Sequence, residues 1–204
     1  MSISTAIGPV GLLFDATSEG TPLLGVALPA QTEAATVKHL GAIARRHSRG
    51  AALERQELAE APPSVQEAAR LIQAHLAGED VDLSGIALDE HGMTPFRREV
   101  YAAARRIPRG TLATYAELGK AAGSPNGARA VGRAMATNPW PLVVPCHRVV
   151  GSEGDLTGFS APGGTRTKAE LLRIEGYVPP ASSRPAQTPK PPDAQASLPF
   201  GSEE

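Results

Sequence analysis

The sequence predicts an α/β N-terminal unit, a small β-sheet with helices, followed by a mainly α unit with a winged-helix-like helix-turn-helix. Three observations predict this. Apolar segments at residues 7–17 and 22–29 are separated by the turn-forming Ser18-Glu19-Gly20-Thr21, the pattern of a β-hairpin. Residues 34–46 and 63–76 then carry apolar side chains at helical spacing. Beyond residue 94, two short helical segments are joined by Ser124-Pro125-Asn126-Gly127, the length and composition of a helix-turn-helix. The expected units are residues 1–93, residues 94–178 and a tail over residues 179–204.

In the first unit the helix at 63–76 places Val65, Ala68, Leu71, Ile72 and His75 on one face, and residues 82–89 are expected to return as a short strand. Nothing in this unit carries a chemical motif. The second unit opens at Thr94-Pro95, an N-cap followed by proline at the first helical position. Phe96, Val100, Ala103, Ala104 and Ile107 line one face of that helix, which stops at Pro108-Arg109-Gly110. Residues 114–123 read as a short helix ended by Gly123. The next helix, from 128 to about 136, carries Arg129 and Arg133. Many helical hairpins of this kind bind nothing, so the motif alone does not assign a ligand. The tail holds 7 of the 19 prolines and little apolar content, the composition of a disordered segment.

With 204 residues, 41% apolar and 20% charged, the chain has the composition of a soluble globular protein. Its one cysteine excludes an internal disulfide and fits a reducing compartment. No apolar run nears the ~20 residues that span a bilayer. No basic segment precedes the apolar N-terminal stretch, unlike a secretory signal. A cytoplasmic, nucleoid-associated monomer is expected. The net charge of −1 is unevenly spread: residues 1–93 hold 6 Lys/Arg against 12 Asp/Glu, and residues 94–178 hold 12 against 6. The basic half suits a polyanion, and equally a solvated basic surface.

Chemistry concentrates at residues 138–150, where Pro145-Cys146-His147-Arg148-Val149 sets a thiol beside an imidazole. A free thiol has a pKa of about 8.5, and neighbouring basic groups lower it. A lone cysteine is more often an inert buried residue, so the pair alone is a weak signal.

The wider constellation is specific. Arg129-Ala130-Val131-Gly132, Asn138-Pro139, Pro145-Cys146-His147-Arg148-Val149 and Glu175-Gly176 together closely resemble the O6-alkylguanine-DNA alkyltransferase (methylated-DNA–protein-cysteine S-methyltransferase) family. The resemblance is strong from Thr94 to Gly176, about 40% of the chain, and loose before that. It implies direct-reversal DNA repair on double-stranded DNA containing O6-alkylguanine. A methyl or larger alkyl group would pass irreversibly, once per molecule, to Cys146 after base flipping, and activity on O4-alkylthymine stays open. By the same resemblance His147 activates Cys146 through a water and Glu175 holds the imidazole. Tyr115 donates a proton toward the departing guanine, and Arg129 enters the stack vacated by the flipped nucleotide. Asn138 locks the turn before the active site. The carbonyls of Cys146 and Val149 accept from the guanine amine, Ser160 faces O6, and residues 154–160 close the pocket, with Phe159 where some members have tyrosine. Read without the family, Tyr115 is a core tyrosine, Arg129 a phosphate contact and Glu175 an exposed charge at a helix end.

No cofactor is expected. Some members carry a structural zinc held partly by cysteines, a site that a chain with one cysteine cannot build, and His39, His47, His75 and His91 show no ligand spacing. Three other readings compete: a Cys-His hydrolase, a lesion-binding sensor that does not repair, and a transcription factor with an incidental thiol. In the tail, Gln195-Ala196-Ser197-Leu198-Pro199-Phe200 resembles the peptides by which bacterial repair proteins dock on the sliding clamp. Gln195 would fix register, while Leu198 and Phe200 fill an apolar pocket.

Overall fold

A computed structural model describes residues 1–18, 20–47 and 54–177. The proline-rich tail, with Gln195, Leu198 and Phe200, lies outside the described residues. The hairpin forms as Gly8–Phe14 (β2) antiparallel to Leu23–Ala27 (β3), with Leu12 opposite Val26. A further strand that the sequence did not signal, Ser2–Thr5 (β1), pairs on the other side of β2. Glu33–His47 (α1) covers one sheet face, packing Leu40, Ile43 and Ala44 on Leu13, Leu24 and Ala27. The approach is close because Gly25 has no side chain: a Cβ there would stand 2.5 Å from Ile43 Cγ2. Val10 and Leu12, on the opposite face, join Val65, Ala69 and Ile72 of Pro63–Leu76 (α2) in the main core.

The strand expected at 82–89 does not form. Asp82 accepts hydrogen bonds from the Ser84 amide and hydroxyl, both at 2.7 Å, and this local turn removes the backbone from extended pairing. A single parallel bridge, Leu23 to Leu88, is what remains.

Pro95–Arg105 (α3) starts as expected, with the Thr94 side chain accepting from the Arg97 amide. Ala113–Thr114 (β4) leads into Tyr115–Ala121 (α4), which opens with a reciprocal Thr114/Glu117 capping box. Ala128–Ala136 (α5) completes the helix-turn-helix. Val149–Val150 (β5) pairs in parallel with β4, so the chain leaving Cys146 lies beside the chain entering α4. Thr165–Ile174 (α6) closes the described fold. Tyr101 ties α3 to α5: its hydroxyl donates to the Ala134 carbonyl at 3.0 Å and accepts from Arg97 at 2.7 Å. Its ring stands edge-on to Trp140, with centroids 5.9 Å apart. One cluster of buried side chains runs continuously from Met1 to Leu171, joining sheet and helices in a single core. No described helix is long and apolar enough to cross a membrane.

Candidate active site

The turn after α5 is wired by Asn138. Its side-chain oxygen accepts from the Trp140 amide at 2.9 Å, and its amide nitrogen donates to the Val144 carbonyl at 2.8 Å. Within this turn Leu142 sits in the left-handed region (φ 76°) with its side chain buried. That conformation costs about 1–3 kcal/mol for a non-glycine residue and persists because the surrounding bonds over-determine it. Pro145 follows, and Cys146–Arg148 form one 3-10 turn that delivers the chain into β5. A rigid mount for the thiol is the result.

Cys146, 8% exposed, opens on a cavity of 310 Å³ lined by Tyr115, Met135, Phe159 and Ser160. A second hollow of 540 Å³ also reaches Cys146 and Ser160 and extends to Ile43 and Arg45 of α1. Burial pushes the Cys146 thiol above its usual range, against a hydrogen bond from Asn138 and the nearby Lys168 charge. The Tyr115 hydroxyl is likewise pushed up, first by burial and then by Cys146. At rest the Cys146 side chain is therefore held as a thiol rather than a thiolate.

His147 is the imidazole next to that thiol. Its Nε2 donates to Glu175 Oε1 at 2.7 Å, because a carboxylate only accepts, which leaves the lone pair on Nδ1. Nδ1 is buried and has no hydrogen-bond partner among the described residues. Burial lowers the proton affinity of the imidazole, and the Glu175 contact works in the opposite sense. Arg148 grips Glu175 through Nε (3.0 Å to Oε2) and Nη2 (2.8 Å to Oε1), while Nη1 donates to the Ile107 carbonyl at 2.6 Å. Burial alone would raise the Glu175 pKa, but the hydrogen bonds from His147 and Arg148 and the close approach of His75 outweigh it and hold the carboxyl well below the usual range.

The structure thus brings Cys146, Tyr115, Phe159 and Ser160 to one cavity and joins His147 to Glu175 behind it. Arg129 stands exposed in the first turn of α5 and does not line that cavity. The Val149 carbonyl accepts from the fully buried Lys168, Nζ at 2.6 Å, and Lys168 also reaches the Thr157 carbonyl at 3.2 Å. Burial lowers the Lys168 pKa to about 8, offset in part by Cys146.

Four residues of the site were given no role by the sequence reading: His75, Arg109, Arg148 and Lys168. The signal for Lys168 was present, since it shares an apolar helix face with Leu171 and Leu172, as His75 does with Val65 and Ile72. A charged or titratable group on a buried stripe needs a partner. His75, Nε2 at 3.1 Å from Glu175 Oε1, forms with His147 and Glu175 a set with metal-type donor atoms within 4.8 Å of one another. The guanidinium of Arg148 on Glu175 and that of Arg109 beside His75 oppose a cation there.

Fold and site define a class: a helix-turn-helix protein with a buried thiol mounted on a 3-10 turn that follows its second helix, and a His-Glu pair behind it. Residues 95–177 match the family description "6-O-methylguanine DNA methyltransferase, DNA binding domain". The chain is 52% identical over 87 residues to a methylated-DNA–protein-cysteine methyltransferase of Salmonella typhimurium, covering 43% of this chain and 50% of that protein. The chain spans about half the length of the first curated relatives it matches. Against the namesake of Mycolicibacterium paratuberculosis it is 42% identical over 123 residues, covering 60% of this chain and 72% of that one. The crystal structure of Mycobacterium tuberculosis OGT in complex with DNA superposes with a TM-score of 0.59 at 30% identity, covering 85% of this chain and 90% of that one. The chain belongs to the O6-methylguanine-DNA methyltransferase family.

Proposed function

We propose that this chain repairs O6-alkylguanine in double-stranded DNA by taking the alkyl group onto Cys146, once per molecule and without a cofactor. The observation that carries this reading is the Cys146 cavity shared with Tyr115, Phe159 and Ser160, with the His147–Glu175 pair directly behind the thiol. His147 Nδ1 takes the thiol proton through a water. The thiolate then attacks the alkyl carbon, a C–S bond forms and the C–O bond breaks. The Tyr115 hydroxyl donates toward the guanine ring as its electrons return to O6. Ser160 faces that oxygen, and the carbonyls of Cys146 and Val149 accept from the guanine amine. The thioether is stable, so the protein is consumed. A base inside a duplex cannot reach an 8% exposed thiol, so the nucleotide is flipped out. Residues 94–178 act as the DNA-binding alkyl-transfer unit. Arg129 fills the vacated stack from the exposed side of α5, and Arg133, exposed one turn later, contacts phosphate. The likeness to a protein whose crystal structure contains DNA supports this reading.

Incubation with a duplex oligonucleotide containing O6-methylguanine, followed by intact mass measurement, tests it. One added methyl group per protein, absent in Cys146→Ser, is the expected result. Turnover, or an acyl adduct formed with ester substrates, replaces this reading with a hydrolase. Lesion binding without transfer replaces it with a sensor.

A second reading concerns residues 195–200, whose Gln195, Leu198 and Phe200 spacing favours a bacterial sliding clamp as a partner. Titration of the full-length protein against the clamp is expected to give a Kd of about 1 µM, corresponding to roughly 8 kcal/mol. Binding should be lost on Gln195→Ala or on combined Leu198→Ala and Phe200→Ala. An intact chain that stays free at tens of micromolar clamp, on the order of ten times that Kd, rules the partner out.

A further inference from the structure

His75 belongs to α2, outside the segment that matches the family description, yet it touches the charge network behind Cys146. The residue is 1% exposed. Nδ1 lies 3.2 Å from Arg109 Nη1, and a guanidinium can only donate, so Nδ1 accepts and the ring proton sits on Nε2, toward Glu175. Arg109 cannot follow if that ring moves, because it also donates to the carbonyls of Glu79 (2.7 Å), Gly78 (2.9 Å) and Ile174 (2.8 Å). Glu175 Oε1 therefore faces N–H groups from three residues, His147 at 2.7 Å, Arg148 at 2.8 Å through Nη2 and 3.2 Å through Nε, and His75 at 3.1 Å. An oxygen with two lone pairs cannot satisfy three donors equally. Of the three residues His75 approaches least closely, since Arg148 also reaches 2.8 Å, and its Nε2 has no well-aligned hydrogen-bond partner.

We propose that His75 is a positioning residue for the Cys146 chemistry: by competing for Glu175 Oε1 it limits the carboxylate's hold on His147 and so restrains the thiol. The inference rests on the reading of Cys146 as a nucleophile served by His147. The groups facing the imidazole are Glu175 from the end of α6, Arg148 from the 3-10 turn and His75 from α2. Arg109 stands behind His75, and Cys146 and Lys168 lie on the thiol side. Burial holds the thiol protonated and the imidazole neutral at rest, so the reactive pair, thiolate with imidazolium, is a minor form. Its population rises with the basicity of His147. Removing the competing donor strengthens the His147–Glu175 bond and makes the imidazole more basic. Two changes follow together. The acid limb of thiol reactivity moves to higher pH, and the plateau rate increases.

The test compares His75→Phe, which keeps ring size and removes both nitrogens, with His75→Gln, whose amide N–H can reach Glu175. The first readout is the pH dependence of Cys146 alkylation by iodoacetamide, unambiguous because the chain has one cysteine. The second is single-turnover methyl transfer from free O6-methylguanine base. For His75→Phe the acid limb is expected to rise by about one pH unit and the plateau by about tenfold, with His75→Gln close to the parent. A loss limited to packing slows the thiol without moving the limb, and that result, or an unchanged profile, overturns the proposal. If His75→Phe does not fold, His75→Gln is compared with His75→Asn, which is too short to reach Glu175, and matching profiles overturn it. A shifted iodoacetamide profile without any methyl transfer sinks the repair reading and leaves this inference standing. The reverse outcome does the opposite.

Discussion

Trp140 donates its indole N–H to the Leu23 carbonyl at 2.7 Å, tying the turn that carries the active site to the edge of the N-terminal sheet. Next to it the Val26 amide donates to the Pro139 carbonyl at 2.7 Å, so this edge of β3 is covered by the turn. The N-terminal sheet thus buttresses the thiol's mount; it does not line the 310 Å³ cavity, while Val26 of β3 lines the larger hollow that also reaches Cys146. Trp140→Phe keeps an aromatic ring but removes one buried hydrogen bond, by itself a loss of about 0.5–1.5 kcal/mol, and the smaller ring leaves a gap that adds to it. Thermal unfolding is expected to fall by at least roughly 2–4 °C, with the amplitude of methyl transfer unchanged. A collapse of that amplitude at full folding would show that Trp140 acts on the chemistry.

Gly110 holds a conformation that other residues take at a cost, φ 69°, and its backbone passes against the end of α6. A Cβ at this position would stand 2.9 Å from the Glu175 carbonyl oxygen. Its amide also faces Glu175 Oε2 at 3.3 Å. Gly110→Ala therefore combines strain of about 1–3 kcal/mol with a push on the residue that orients His147. Lower stability in urea and slower alkyl transfer on every substrate are expected. Full activity in a stable Gly110→Ala protein would mean that Glu175 tolerates displacement.

Glu175 also governs acid stability. Folded, its carboxyl titrates well below the unfolded value of about 4.3. Between the two values the unfolded chain binds a proton that the folded chain does not, so this stabilisation is present above about pH 5. It is lost as pH falls. His147, lowered by burial, adds the same slope below about pH 6.5, where the unfolded imidazole charges first. Glu175→Gln should flatten the steep acid limb of unfolding. It leaves Arg148 buried without its carboxylate, a loss of about 3–5 kcal/mol at pH 7. Urea denaturation between pH 3 and 7 measures both effects, and an unchanged acid limb would place the titrating carboxyl elsewhere.

How much of this was legible follows from distance along the chain. The α3 start was readable because Thr94 is followed directly by Pro95 and caps the amide only three residues on, whereas the Thr114 cap of α4 went unread. Cys146 and His147 were readable because they are adjacent inside a specific pentapeptide. Ser2–Thr5 carries one apolar side chain, too little alternation to announce a strand, and it exists because β2 offers it an edge. Residues 82–89 alternate like a strand, but an Asp-Ser turn inside them prevails. His75 and Arg109 were invisible as site residues because their roles depend on Glu175, brought to them only by the packing of α6 and α2. The same packing overturned the reading of Glu175 as an exposed charge, since it is 6% exposed.

On the proposed reading, Arg129 should separate base extrusion from chemistry. It sits exposed at the start of α5, while Gly132, Met135 and Ala136 further along that helix line the thiol cavity. A side chain in that place can act on the duplex without touching the reacting atoms. Arg129→Ala is therefore expected to slow methyl transfer from duplex DNA by about tenfold or more, the effect of roughly 1.4 kcal/mol lost when extrusion is unsupported. Reaction with the free O6-methylguanine base needs no extrusion and should stay within about twofold of the parent, which is under roughly 0.5 kcal/mol. Glu175→Gln, acting on the imidazole, should slow both substrates alike. Salt adds an independent check, because phosphate contacts from the basic half make duplex binding fall steeply as salt rises. Losing one such contact lowers the log–log slope by about one, whereas a residue that inserts into the stack leaves it unchanged. Equal losses on duplex and free base would move Arg129 out of the extrusion step. A slope reduced by one with unaltered single-turnover chemistry would make it a phosphate contact.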